Sequence, residues 1–255
     1  MNKRAIIVIP ARYHSTRLPG KPLQLIDGKS MLYRLWKIAQ KVNNIDRVYI
    51  ATEDARIADH AKTFCDDVIM TPLHCVNGTE RVLLAVETLA RYPEVIINLQ
   101  GDAVLTPPWV IQTLLDAMLQ DKTIQFATTA TRMKATDYQQ LLLSKKRGQV
   151  SGTTVVFDKN HFALYFSKSM IPFVREEVSP LPVYRHIGLY AYRYQMLKKY
   201  VSLQPTLLER IEGLEPLRAL ENDIPIKIVE VDYQGRTHWA VDSIEDWKAE
   251  KLGIE

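Results

Sequence analysis

The chain has 255 residues, of which 47% are hydrophobic and 24% charged. This ordinary globular composition excludes a collagen, a coiled coil and a disordered chain, and the length permits one large domain or two small ones. Lys and Arg number 33 against 29 Asp and Glu, a net charge of +4 that is too small to argue for a nucleic-acid partner. We expect no signal peptide, no membrane span and a cytoplasmic location, because the apolar runs are short.

Short apolar runs alternate with helical patterns through the first half of the chain. The predicted strands are residues 5–9, 47–52, 68–71, 95–99 and 126–131, and the predicted helices are residues 30–42, 55–64, 78–91 and 107–120. Strands that alternate with helices predict a parallel sheet with right-handed crossovers. Ligands of such sheets bind beyond the carboxyl ends of the strands, which here are the loop after residues 5–9 and the turn at residues 100–102.

The second half is richer in β-structure. Its predicted strands are residues 150–158, 162–167, 188–193 and 226–231, and its predicted helices are residues 195–201, 207–220 and 243–251. Pro216 falls inside the second of these helices and is expected to kink or divide it. The predicted fold class is α/β, with a Rossmann-like, mixed and mostly parallel sheet flanked by helices and a smaller β-rich portion.

The loop after the first strand combines positive charge with hydroxyl groups. Arg12, Arg17 and Lys21 lie within ten residues, and Ser15 and Thr16 lie between them. Arg binds phosphate as a bidentate fork and Lys as a point charge, so this composition is typical of a triphosphate site. It matches neither GxGxxG nor GxxxxGK[ST], which disfavours a Rossmann dinucleotide site and a P-loop. The alternative is a solvated basic loop.

A series of short motifs follows one order along nearly the whole chain. The motifs are VIPAR at residues 8–12, STRLPGKP at 15–22, YIATED at 49–54, NGTER at 77–81, NLQGD at 98–102, ALYFS at 163–167, IP at 171–172 followed by Arg175, HIGLYAY at 186–192 and VDSIED at 241–246. Together they resemble the motifs of the CMP-Kdo synthetases, which are 3-deoxy-manno-octulosonate cytidylyltransferases.

The resemblance implies an enzyme that joins CTP to a sugar acid and releases pyrophosphate. It implies catalytic roles for Lys21, Arg12, Arg17 and Asp102, the three cations holding the triphosphate and neutralising the leaving pyrophosphate. Arg81 is alternatively a surface residue in a salt bridge. The implied nucleotide-binding residues are Pro10, Ala11, Arg12, Ser15, Thr16, Arg17, Lys21, Asn77, Gly78, Thr79, Arg81 and Gln100.

The resemblance also implies a Mg²⁺ cofactor and a site for the acid. Asp102 and Asp242 would hold the metal, because Mg²⁺ takes oxygen ligands from one or two carboxylates and from phosphates. His186 is either a donor to sugar hydroxyls or a core histidine. The implied acid-binding residues are Gln100, Arg175, His186, Tyr190, Glu209, Glu212 and Glu215.

The same resemblance implies one cytidylyltransferase domain over residues 1–255. Residues 1–131 would mainly bind CTP, and residues 132–255 would mainly bind the acid and form a homodimer. A Kdo-like substrate would place the enzyme in lipopolysaccharide biosynthesis.

The departures from the family pattern cluster where the acid should bind. Ala103-Val104 replaces Glu-Pro, Gly152-Thr153-Thr154 stands where the family has Val-Lys, and Pro216 replaces Gln. The acid is therefore Kdo or another acid, such as 8-amino-Kdo or a phosphonate of specialised metabolism. A nucleotide-sugar glycosyltransferase is disfavoured, because the turn at residues 101–103 lacks the second acid of a DxD motif. A non-catalytic binding module is disfavoured by the intact cations and aspartates.

Overall fold

The computed structural model of the chain describes residues 5–14, 19–101, 103–176 and 178–236. The strands are β1 (Ala5–Ala11), β2 (Leu25–Ile26), β3 (Lys29–Ser30), β4 (Arg47–Thr52), β5 (Val68–Met70), β6 (Val95–Leu99), β7 (Phe126–Arg132), β8 (Thr153–Phe157), β9 (Ala163–Ser167), β10 (Tyr184–Tyr192) and β11 (Lys227–Glu230). The helices are α1 (Met31–Ala39), α2 (Ala55–Lys62), α3 (Gly78–Glu87), α4 (Pro108–Gln120), α5 (Ala135–Lys146), α6 (Tyr194–Ser202), α7 (Leu207–Glu212) and α8 (Pro216–Leu220). The predicted helix at residues 243–251 lies outside the described residues.

Nine strands of the described residues form one mixed sheet. Its main order is β11-β7-β10-β6-β1-β4-β5, and β8 and β9 extend it beside the first half of β10. The pairs of β1 with β4, β1 with β6, β4 with β5 and β11 with β7 are parallel. Strand β10 is antiparallel to both β6 and β7, so these two neighbours share one direction. The prediction of a mixed, mostly parallel sheet flanked by helices is confirmed.

The sheet has an apolar core on each face. Successive side chains of a strand point to opposite faces, and the residues of β1 divide accordingly. Ile7 and Ile9 belong to the cluster that includes α1 and α4, whereas Ile6 and Val8 belong to the cluster that includes α3 and α6. Because β1 is buried on both faces, it reads as a continuous apolar run, which is typical of a central parallel strand.

Several elements differ from the sequence prediction, among them the short strands β2 and β3, which were not predicted. Helix α5 was not predicted, and β10 begins at Tyr184 rather than at residue 188. The predicted helix at residues 207–220 is divided into α7 and α8, which confirms the expectation that it is kinked or divided. The division occurs at Gly213, which has φ +64° and ends α7 in the left-handed conformation that favours glycine, and Pro216 begins α8.

The predicted site lies at the carboxyl ends of the central parallel strands. Strands β1, β4 and β6 end there at Ala11, Thr52 and Leu99. Strand β10 runs in the opposite direction and pairs Leu189 with Leu99, so its first residues extend beyond the end of β6. Strand β8 joins β10 at this point. In the part of the chain that the structure describes, no helix has the length and apolar character needed to cross a membrane.

Candidate active site

Pro10, Gly78 and Gln100 meet at the ends of three elements. Gly78 begins α3, and its Cα lies against the side-chain amide of Gln100, which follows β6. A Cβ atom at Gly78 would lie 2.8 Å from Gln100 Oε1 and 3.3 Å from Pro10 Cγ. A larger residue at position 78 would displace the Gln100 amide, and the three predicted nucleotide-binding residues form one surface.

A chain of polar side chains runs inward from Gln100. Gln100 Nε2 donates to Asn98 Oδ1 at 2.9 Å, and Asn98 Nδ2 donates to Thr79 Oγ1 at 3.3 Å. The Thr79 hydroxyl donates in turn to Glu215 Oε2 at 2.8 Å. Glu215 is predicted to bind the acid and Thr79 to bind the nucleotide, so this hydrogen bond joins the two predicted sets of residues. Burial raises the pKa of Glu215, and the hydrogen bond from Thr79 opposes that shift.

The loop at residues 10–22 is predicted to bind the triphosphate and is called the triphosphate loop below. The structure describes its two ends, residues 10–14 and 19–22. Gly20 N–H donates to Tyr13 O at 2.8 Å, and Gly20 has φ +68° with its Cα against the Tyr13 ring. The Arg56 guanidinium lies 3.4 Å from the centre of that ring. Arg12 is exposed and Lys21 half-buried at these ends. Ser15, Thr16 and Arg17 lie outside the described residues, so their predicted roles stay predictions.

Arg81 lies inside the protein rather than on its surface. Its Nη1 is 2.7 Å from Glu53 Oε2, and the side chains of this ion pair are 4% and 5% exposed. Arg81 also donates to the Thr71 hydroxyl, and Glu53 Oε1 accepts the Tyr13 N–H at 3.3 Å. Arg81 therefore connects α3 to the start of the triphosphate loop. The side chain of Asn77 caps α3 by accepting the Glu80 N–H at 2.8 Å.

A cavity of about 720 Å³ lies beside the surface formed by Pro10, Gly78 and Gln100. It extends between the first half of β10, the turn after β6, the segment before β8 and the end of α7. Ala103 lines the cavity and also donates its N–H to Gln100 O at 3.0 Å. The cavity therefore lies next to the predicted nucleotide-binding residue Gln100. Of the residues predicted for the acid, His186, Tyr190 and Glu212 line this cavity.

The other residues predicted for the acid lie elsewhere. Arg175 is not among the lining residues, and its side chain is 88% exposed. Glu209 belongs to the capping box of α7. It also forms a buried, bidentate ion pair with Arg218, whose Nε lies 2.8 Å from Glu209 Oε2. A carboxylate held in this way by the protein stabilises the junction of α7 and α8. Glu212, by contrast, accepts from Ser167 Oγ and from Lys168 N–H, both at 2.8 Å.

Three cationic side chains line the cavity, namely Lys168, Arg185 and Arg210. The sequence analysis did not identify any of them as binding residues. Burial lowers the pKa of Arg185 to about 10, while Tyr233 and Asp137 favour its charged form. Lys168 follows the ALYFS motif directly, and Arg185 precedes the HIGLYAY motif. Their position beside these motifs was the available signal. The cavity is consequently suited to an anion.

His186 is a buried, neutral histidine at the wall of the cavity. Its Nε2 lies 2.9 Å from Thr128 Oγ1, and its ring contacts the Phe166 ring edge-on with centres 4.9 Å apart. Burial, together with the positive charge of Lys168, lowers the pKa of His186 to about 3. Its ring nitrogens therefore supply one donor and one acceptor at neutral pH.

We expect His186 to make the folded state sensitive to acid. Its pKa is lower in the folded chain than the ordinary value of about 6.5, so the unfolded chain binds a proton first. Stability is then lost as the pH falls from about 6.5 towards 3, by at most about 5 kcal/mol. Urea unfolding of the wild type and His186→Gln between pH 7 and 4 measures this loss as the difference between the two pH slopes, with exposed His74→Gln as control. Equal slopes for the wild type and His186→Gln would contradict the prediction.

Both residues predicted to hold the metal, Asp102 and Asp242, lie outside the described residues. Within residues 5–14, 19–101, 103–176 and 178–236, no group of three His, Cys, Asp or Glu side chains is placed to hold a metal ion. Two carboxylates are nevertheless a donor set that suits Mg²⁺, which takes oxygen ligands. The metal site stays a prediction.

The comparisons with known proteins agree with this fold. A family model described as cytidylyltransferase matches residues 6–228, so the chain is an enzyme of the nucleotidyltransferase class. A 3-deoxy-manno-octulosonate cytidylyltransferase of Maricaulis maris (strain MCS10) is 48% identical over 241 residues, which cover 94% of this chain and 93% of that protein. The chain belongs to the 3-deoxy-manno-octulosonate cytidylyltransferase family, the CMP-Kdo synthetases.

More distant relatives show how far the similarity extends. A mitochondrial 3-deoxy-manno-octulosonate cytidylyltransferase of Arabidopsis thaliana is 36% identical over 95% of this chain and 81% of its own. A solved structure of CMP:2-keto-3-deoxy-manno-octonic acid synthetase complexed with CTP superimposes with a TM-score of 0.84 at 33% identity, over 98% of this chain and 99% of that one. A 4-diphosphocytidyl-2C-methyl-D-erythritol synthase of Anaerococcus prevotii, at 14% identity and a TM-score of 0.61, shares the fold.

Proposed function

We propose that this cytidylyltransferase transfers CMP from CTP to Kdo, in a reaction that depends on Mg²⁺. The observation that carries the proposal is the cavity of about 720 Å³ beside Gln100, with Lys168, Arg185 and Arg210 in its wall. Among the described residues of the wall, three cations stand against the one carboxylate of Glu212, which favours an anionic substrate such as a sugar acid. The names of the relatives in Maricaulis and Arabidopsis support Kdo as that acid.

The reaction forms one bond and breaks another at the α-phosphorus of CTP. The hydroxyl oxygen of the acid bonds to phosphorus, the bond to the bridging β-phosphate oxygen breaks, and pyrophosphate leaves with the electron pair. The hydroxyl proton is released to solvent. Phosphoryl transfer of this kind depends mainly on positioning and charge neutralisation.

The chain's own residues would share this work between two surfaces. Arg12, Arg17 and Lys21 would bind the triphosphate, and their charge stabilises the pyrophosphate as it leaves. The surface formed by Pro10, Gly78 and Gln100 would orient the nucleotide toward the cavity. Mg²⁺, held by Asp102 and Asp242, would supply further positive charge at the phosphates.

The test is pyrophosphate release from CTP and Mg²⁺ with a panel of acids. The panel contains Kdo, 8-amino-Kdo, sialic-type nonulosonates and small phosphonates, and each reaction is repeated with EDTA. We expect Kdo to give the highest kcat/KM and EDTA to abolish the reaction. Activity with another acid alone would reassign the substrate, and would indicate that the departures at Ala103, Gly152 and Pro216 changed the acid site. Release of a nucleoside diphosphate instead of pyrophosphate would indicate a glycosyltransferase.

We also propose that the enzyme is a cytoplasmic homodimer that serves lipopolysaccharide biosynthesis. Strand β9 is at one end of the nine-stranded sheet, where Leu164 is 62% exposed, and the nearby chain exposes Phe173 at 89%. Apolar side chains exposed at a sheet edge are typical of an interface. Light scattering of the purified chain measures the oligomeric state, and a monomer at micromolar concentration would contradict the dimer.

A further inference from the structure

The wall of the cavity contains a segment that helix α5 holds in place. Residues 150–153 line the cavity at the start of β8, and Gly152 among them has φ +76°. Leu141 of α5 is fully buried beneath it, and a Cβ atom at Gly152 would lie 2.8 Å from Leu141 Cδ1. Both the positive φ and the close contact require glycine here. The departure from the family pattern at Gly152 therefore accompanies a specific contact with α5.

Lys145 makes a second contact between α5 and this segment. Lys145 lies four residues after Leu141, so both side chains are on one face of the helix. Its Nζ donates to Ser151 O at 2.6 Å and to Gly152 O at 2.8 Å. An ammonium group has three donors, and these bonds use two of them. Lys145 thus holds the backbone of Ser151 and Gly152, which form part of the cavity rim, in place through two hydrogen bonds.

The charges around Lys145 come from three other elements. Lys168 follows β9, Arg185 belongs to β10, and Glu212 ends α7. Burial, Lys168 and Arg185 lower the pKa of Lys145 to about 8, and Glu212 opposes them. Like charges held close together at a half-buried site repel one another, and an anion bound among them relieves that repulsion.

We infer that Lys145 is a positioning residue for the acid substrate. It fixes the Ser151–Gly152 rim of the cavity, and its positive charge behind the rim strengthens binding of the acid's carboxylate. The inference rests on the proposed function, since it assigns the cavity to the acid. It adds a residue from a helix that none of the family motifs includes.

Three variants separate the charge of Lys145 from its hydrogen bonds. Lys145→Met removes both, Lys145→Gln keeps two amide donors without the charge, and Lys146→Met removes an exposed neighbouring lysine as the matched control. With the active acid of the panel, we expect Lys145→Met to raise the KM for the acid by about tenfold. The KM for CTP and kcat should stay within about twofold, and Lys145→Gln should give a smaller rise. Lys146→Met should behave as the wild type.

The pH dependence provides a readout that a purely structural lysine would not give. The ammonium form dominates below pH 8, so the acid KM of the wild type should rise between pH 7 and 9 as Lys145 loses its proton. Lys145→Gln should lose most of that rise, because it has no group to titrate there. The melting temperature of each variant checks that the fold is intact.

Four outcomes decide the matter. An unchanged acid KM in Lys145→Met, or the same pH profile in the wild type and Lys145→Gln, would overturn the inference and leave the proposed function standing. Equal losses for CTP and acid together with a lower melting temperature would show a structural role only, and would overturn it too. A wild type that is inactive with every acid would overturn the proposed function and this inference with it.

Discussion

Asp102→Asn should lower the rate of pyrophosphate release by about 1000-fold and leave the fold intact. The family resemblance implies that Asp102 is a metal ligand, and a carboxamide carries no negative charge for Mg²⁺. Asp102 itself lies outside the described residues, and of its neighbours the Ala103 N–H donates to Gln100 O at 3.0 Å. Initial rates with saturating CTP and acid measure the effect, and circular dichroism checks the fold.

A matched control and a metal titration make this result specific. Asp59 is exposed on α2, so Asp59→Asn should keep the wild-type rate. The concentration of Mg²⁺ that gives half the maximal rate should rise in Asp102→Asn and stay constant in Asp59→Asn. Near-normal turnover in Asp102→Asn at low Mg²⁺ would remove Asp102 from the metal site.

Arg81→Met should destabilise the protein by about 3–5 kcal/mol, because it leaves the carboxylate of Glu53 buried without its cation. Arg47→Met is the matched control. Arg47 also lies 2.7 Å from a carboxylate, that of Asp67, but its side chain is 56% exposed. Water solvates the carboxylate that this control leaves behind, so its stability should hardly change. Urea unfolding at pH 7 measures both variants.

The buried pair should also affect CTP binding. Glu53 accepts the Tyr13 N–H, and Tyr13 O accepts the Gly20 N–H, so the pair supports both ends of the triphosphate loop. We therefore expect Arg81→Met to raise the KM for CTP more than that for the acid. Replacing Glu53 with Gln in the same chain should restore part of the stability, since no charge then stays buried. Equal stabilities of Arg81→Met and Arg47→Met would contradict the prediction.

Local patterns were sufficient to predict the main-sheet strands and the α-helices of the first half, but not the two-residue strands β2 and β3. The run of β1 is continuously apolar and that of β6 is interrupted only by Asn98, because both strands are buried on each face. Ser30 caps α1 by accepting the Tyr33 N–H at 3.1 Å. Helix α5 lacked such signals. Leu141 is its one fully buried described residue, and Lys134 at its start makes no side-chain cap. A helix with so narrow an apolar face has little periodicity to recognise.

The cavity could be predicted in part. His186, Tyr190 and Glu212 were identified from the resemblance, whereas Lys168 and Arg185 were missed in favour of Arg175. All of these cations follow or precede a family motif, so residue type and spacing could not distinguish them. The pairing of β8 with both β9 and β10 brings Lys168 and Arg185 to one wall.

The sequence by itself determined the family and the order of most strands and helices, and it identified a loop whose cations are predicted to bind phosphate, because these depend on residue type and local periodicity. The tertiary structure decided which side chains act together. Thr79 and Glu215 are 136 residues apart and share a hydrogen bond, and Lys145 contacts the backbone of the cavity rim only because α5 packs against Gly152. Such contacts follow from the packing of distant elements, which no local pattern specifies.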